Sequence, residues 1–137
     1  EELALYSSPL VVSFGEEIDE AIRGCFFLID KPSDNYRIVR QAIQGLIHLS
    51  KQRPTLRPQV MLKILQVINS PRVYRSHPRR FAVRGIGHIA TTDESLVTPS
   101  VELLLKMVDR DHEASKYVRK AAFCALSRIG HSTHSYW

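Results

Sequence analysis

Apolar and small residues recur along this chain at two nested spacings. The short spacing is helical: Ala21, Cys25 and Leu28 sit at offsets of four and seven, as do Ala42, Leu46 and Leu49, which puts each trio on one helix face. The long spacing is forty residues. Ala21 aligns with Met61 and Val101, Cys25 with Leu65 and Leu105, and Leu28 with Ile68 and Val108. A second series follows in each unit: Arg40, Arg80 and Lys120; Ala42, Ala82 and Ala122; Gly45, Gly85 and Ala125; Leu46, Ile86 and Leu126; Leu49, Ile89 and Ile129. Each unit therefore holds two amphipathic helices, A and B.

Start signals bound these helices. Ser13 followed by Glu16 reads as a capping box for the first A helix, while Thr55 and Ser95 precede the other two, with Pro58 and Pro99 close behind. Ser33 or Asp34, Ser76 and Ser115 are the candidate caps of the B helices. The spacing predicts A helices near 14–30, 56–69 and 96–109 and B helices near 35–50, 77–91 and 116–130. The expectation is a single all-α domain over 1–137, with repeats at 14–51, 55–91 and 95–130 and a polar tail at 131–137. One helix pair cannot bury both its faces, but stacked pairs share a continuous core. The last B helix is as apolar as the middle one, and Glu1 and Trp137 look like cut ends, so a fragment with adjoining repeats is expected.

Val39-Arg40 with Leu46, and Val118-Arg119 with Ala122, Leu126, Ile129 and Gly130, resemble the B helix of HEAT repeats over about residues 14–130. Asp34 stands where that family often ties helix pairs together. The third Val-Arg falls 79 residues after the first, and the middle unit offers Arg80 or Arg84 without a clean Val-Arg match at the aligned position. Armadillo repeats have a similar length with an extra short helix, which Pro58 and Pro99 would accommodate, so the subtype stays open. The resemblance implies a right-handed α-solenoid acting as a scaffold, with B helices on its concave side.

Charge sharpens the picture. The net charge of +5 hides a stretch between Asp34 and Asp93 with no acid and eleven Lys and Arg. Its densest part carries Arg72, Arg75, His77, Arg79, Arg80 and Arg84, the candidate partner-binding residues, with Tyr74 and Phe81 among them. Arginine forks suit phosphate or carboxylate, so acidic protein surfaces come first as partners and nucleic acid or another polyanion second. The competing reading pairs these arginines with acids of adjacent units, such as Glu16–Glu20 or Asp109–Glu113. The ladder Arg40, Arg80 and Lys120, with His48, His88 and Arg128 matching further along, forms either a basic stripe or inter-repeat ties.

Catalytic patterns are not met. The six histidines lack metal-ligand spacing, Gly85-Ile86-Gly87 lies on a helical face rather than after a strand, and Cys124 has no base beside it. A helical-repeat DNA glycosylase would need a carboxylate in the basic unit. No cofactor, metal or membrane span is expected. The two cysteines suit a reducing compartment, cytoplasm or nucleus. The expected role is a non-catalytic scaffold segment within a larger assembly.

Overall fold

The computed structural model describes residues 2–30, 36–70 and 76–133, with side chains over 16–30, 36–70 and 77–132. Every regular element among them is helical: α1 Glu2–Asp30, α2 Tyr36–Gln52, α3 Arg57–Ile68, α4 Ser76–Ala90, α5 Val97–Met107 and α6 Lys116–Thr133. Single 3-10 turns over Pro54–Leu56 and Glu94–Leu96 lead into α3 and α5, so the forty-residue period extends into the joints.

Four boundaries differ from expectation for identifiable reasons. Helix α1 begins at Glu2, so Ser13 and Glu16 lie inside it rather than at its start. The segment before Ser13 supplies Leu3, Leu5, Leu10, Val11 and Val12, and a serine three residues before a glutamate starts a helix only where the preceding backbone has left it. Asp93, not Ser95, caps the turn before α5: its carboxylate accepts the Ser95 amide at 3.1 Å and the Ser95 hydroxyl at 2.6 Å. Thr55 caps nothing, since Arg53 stands at the cap of its turn without a side-chain bond and Pro54 supplies the fixed φ that starts the turn. Helix α6 runs on through 131–133, so His131 belongs to a helix rather than to a tail. Ser115 does cap α6, accepting the Val118 amide at 3.4 Å. Ser33 and Asp34 lie outside the described residues.

Helices α2, α4 and α6 pack side by side in chain order, and α1, α3 and α5 pack against α2, α4 and α6 respectively. The core follows from this arrangement. Ile43 and Leu46 of α2, Ile64 and Ile68 of α3, Val83, Ile86 and Ile89 of α4, Leu104 of α5 and Val118 of α6 are all closed to solvent or nearly so. At about 25 cal/mol per Å² of apolar surface, each large side chain here contributes about 1.5–3 kcal/mol. Helix α4 touches four neighbours and is buried almost all round, from Phe81 through Val83 and from Gly85 through Gly87.

Small residues set the helix spacing. A Cβ on Gly85 would stand 2.8 Å from Ile47 Cδ1, the movable end of a side chain on α2. A Cβ on Gly87 would stand 2.9 Å from Ala125 Cβ and 3.0 Å from its Cα, so at that crossing α4 and α6 meet almost backbone to backbone. Positions 47 and 87, like 85 and 125, are forty apart. The same two register positions therefore face each other at both crossings.

Candidate functional site

Of the eleven bases between Asp34 and Asp93, four hold the helix pairs together. Arg53 reaches Asp19 at 3.6 Å, Arg57 reaches Asp93 at 3.8 Å, and Lys63 pairs with Asp30 of α1. Arg79 is the most committed. Its Nε donates to the Ile68 carbonyl at the end of α3 at 3.0 Å, and its two terminal nitrogens grip both oxygens of Glu113 in the joint before α6. Both partners are buried, so Arg79 is an internal tie and not part of an open surface. Burial pushes the Glu113 carboxyl up, but hydrogen bonds from Arg79 and the Ser115 amide more than offset it and hold its pKa below the ordinary range. Arg119, forty residues on from Arg79, likewise turns to its joint and donates to the Glu113 and Ala114 carbonyls at 2.8 and 2.7 Å.

The other candidates divide. Arg72 and Arg75 lie outside the described residues. His77, Arg80 and Arg84 share one stripe of α4, spaced three and then four residues apart, and His88 extends it by another four. This is the face of α4 that packing leaves open: His77 and Arg84 are exposed, and Arg80 and His88 half-buried. The matching stripes are Arg37, Arg40, His48 and Lys51 on α2 and Tyr117, Lys120, Cys124, Arg128 and His131 on α6. Together α2, α4 and α6 hold ten Lys and Arg, four His and no Asp or Glu. The basic feature is thus a layer of three helices rather than one repeat.

Two internal arrangements shape this face. Arg40 of α2 and Arg80 of α4 itself place their guanidinium carbons 4.8 and 5.0 Å from the centre of the Phe81 ring. No carboxylate among the described residues pairs with either, and Arg80 Nε is buried without a hydrogen-bond partner. At the N-terminal turns, Tyr36, His77 and Tyr117 form a row with ring centres 4.8 and 6.3 Å apart, both pairs inclined by 23°. Lys116 Nζ covers Tyr117 at 5.4 Å.

Toward the other end of the helices, α4 and α6 enclose a groove of about 770 Å³ whose wall carries Arg84, His88, Arg128 and His131 with Cys124 and Ser127. Burial, then Arg128, Lys51 and Arg84, push the His88 imidazole below its ordinary pKa. Thr91 and Ser132 hydroxyls donate to the His88 and Ile129 carbonyls near the helix ends at 2.7 and 3.0 Å. Sequence reasoning found the Arg40/Arg80/Lys120 and His48/His88/Arg128 ladders but not the groove. Counting acids by helix instead of by repeat would have pointed to it.

Among the described residues, no group of three His, Cys, Asp or Glu converges as a metal site would require, and no helix is long and apolar enough to cross a membrane. Comparison with protein-family models, with curated proteins and with solved structures finds no match to this chain.

Proposed function

We propose that the chain is a non-catalytic scaffold segment, a right-handed stack of HEAT- or armadillo-like helix pairs that docks acidic protein partners on the layer formed by α2, α4 and α6. The observation that carries this reading is that the three helices hold ten Lys and Arg, eight of them besides the internal Arg79 and the joint-facing Arg119, without one acid, while the exposed acids lie on α1, at Glu102 of α5 and in the joints. A solvated face with no binding role has no reason to exclude acids so completely from three helices in register.

Nucleic acid is the competing partner. Single-stranded binders present open ring faces on which bases stack. Here part of that ring surface is engaged within the layer: His77 lies between two tyrosines, Lys116 Nζ sits over Tyr117, and Phe81 lies beneath two guanidinium groups. An acidic polypeptide needs cations alone. A second docking surface continues the stack. Ile43 and Val83 are fully buried, while Phe123, the residue in register with them, is 60 % exposed, and Leu105 on α5 is 56 % exposed. An adjoining helix pair would cover both. Cytoplasm or nucleus fits the two unpaired thiols.

The test is a titration of the chain with polyglutamate and with a single-stranded homopolymer, beside the triple variant Arg40→Glu, Arg84→Glu, Lys120→Glu. All three side chains are exposed, so helicity by circular dichroism should be retained. At about 1 kcal/mol for each exposed contact, polyglutamate binding should weaken by about a hundredfold. Unchanged polyglutamate binding, or preference for the homopolymer, would sink the reading.

A further inference from the structure

We propose that the groove between α4 and α6 is a phosphate-recognition site that takes a phosphorylated side chain of the docked acidic partner. This deepens the acidic-partner reading and rests on it.

The groove differs in kind from the rest of the basic layer. It is a concave, solvent-open groove of about 770 Å³, large enough for several residues of an extended segment. Two guanidinium groups, Arg84 and Arg128, and two imidazoles, His88 and His131, line it from opposite helices, and no carboxylate does. Neither arginine makes an ion pair or a hydrogen bond within the described residues. Stabilisation of helix C-termini accounts for His88 and His131, which lie in or beside the last turns of α4 and α6. It does not account for Arg84 and Arg128, which stand more than a turn upstream, where the macrodipole has faded.

Charge chooses among anions. A glutamate or aspartate brings one negative charge and two acceptor oxygens, which leaves one of the two fixed guanidinium charges uncompensated. A phosphomonoester brings about −1.5 to −2 and three acceptor oxygens, enough to accept from both arginine forks and an imidazole together. Nucleic-acid phosphodiesters carry a single charge each, so no one of them compensates both guanidinium groups.

The groove also holds its own reporter. Cys124 on its wall is exposed, whereas Cys25 is half-buried beneath α2 and burial raises its thiol pKa, so a maleimide reacts first at Cys124. The experiment compares three peptides of one acidic sequence with phosphoserine, serine or aspartate at the centre, together with inorganic phosphate and a single-stranded oligonucleotide. Affinity is read by calorimetry and occupancy by protection of Cys124. The phosphopeptide should bind about tenfold more tightly than the serine and aspartate forms, one charge-assisted contact's worth, and should protect Cys124 at concentrations where they do not. Inorganic phosphate should compete with it. In Arg84→Gln/Arg128→Gln the three peptides should bind alike, the phosphopeptide losing its advantage and all of them weakening by the general charge contribution of the two arginines, and Lys106→Gln on α5 should change nothing.

Equal binding of all three peptides would overturn the phosphate site and leave general acidic docking standing. An advantage that survives in the double variant would overturn the placement. Tighter binding and Cys124 protection by the oligonucleotide would make the groove a nucleic-acid site. No binding of any peptide would overturn the site and the acidic-partner reading together.

Discussion

Arg79 and Glu113 show how a single residue changes its meaning once the chain is folded. In the sequence Arg79 is one of a cluster of cations; in the structure it is closed off, bonded to a helix-end carbonyl and to a buried carboxylate from the next repeat. The sequence allowed both readings, since an acid at 113 was among its possible partners, and only three-dimensional proximity decides. Removing one member of such a pair strands the other. Glu113→Ala should cost about 3–5 kcal/mol in urea unfolding, whereas Arg84→Gln on the open stripe should cost less than about 0.5 kcal/mol. The pair also imposes a pH dependence. Because the Glu113 carboxyl titrates below its ordinary value when folded, its contribution is present above the unfolded pKa and is lost as pH falls through the lower folded one. Acid titration of Glu113→Gln should therefore lack the part of the wild-type loss that falls in that window.

Elements were largely legible because their signals are local and repeated three times. The helix-face offsets located α2 through α6 within a few residues, and Ser115 announced its helix. Where the reading failed, a tertiary or backbone reason prevailed. The start of α1 was misplaced because a capping sequence inside a continuing apolar helix is silent. Ser95 lost its role because Asp93, two residues earlier, has the extended backbone that lets a carboxylate reach forward. The small residues of the B helices were legible as close-packing positions, but which helix each meets was not. The consequences differ by position. Gly87→Ala pushes into the Ala125 backbone and should destabilise by about 1–3 kcal/mol. Gly24→Ala, on an exposed turn of α1 with nothing near the new methyl, should stabilise by about 0.5–1 kcal/mol. Thermal melts of the two variants should move in opposite directions.

At the scale of the molecule, charge is sorted by layer, and that sorting was only half visible. Read along the chain, the acid-free stretch runs from α2 to the end of α4; folded, four of its bases are spent on neighbours, and the surplus on α2 and α4 aligns with bases of α6. A linear count cannot see this, because the layer is assembled from segments forty residues apart. Apolar exposure at the α5–α6 end is a second whole-molecule property. Phe123→Ser should leave the melting temperature within about 2 °C, because its side chain is mostly in water, yet weaken binding of the exposed apolar end to a hydrophobic dye read by fluorescence. The two crossings of the B layer carry one more consequence. Between α2 and α4 an isoleucine faces a glycine, and between α4 and α6 a glycine faces an alanine, so the layer behaves like a hinge strip whose leaves are shimmed separately. Thickening the shim at position 87 by one carbon would widen the groove without altering any residue on its wall, and a lineage of such chains could retune ligand fit from beneath the binding surface.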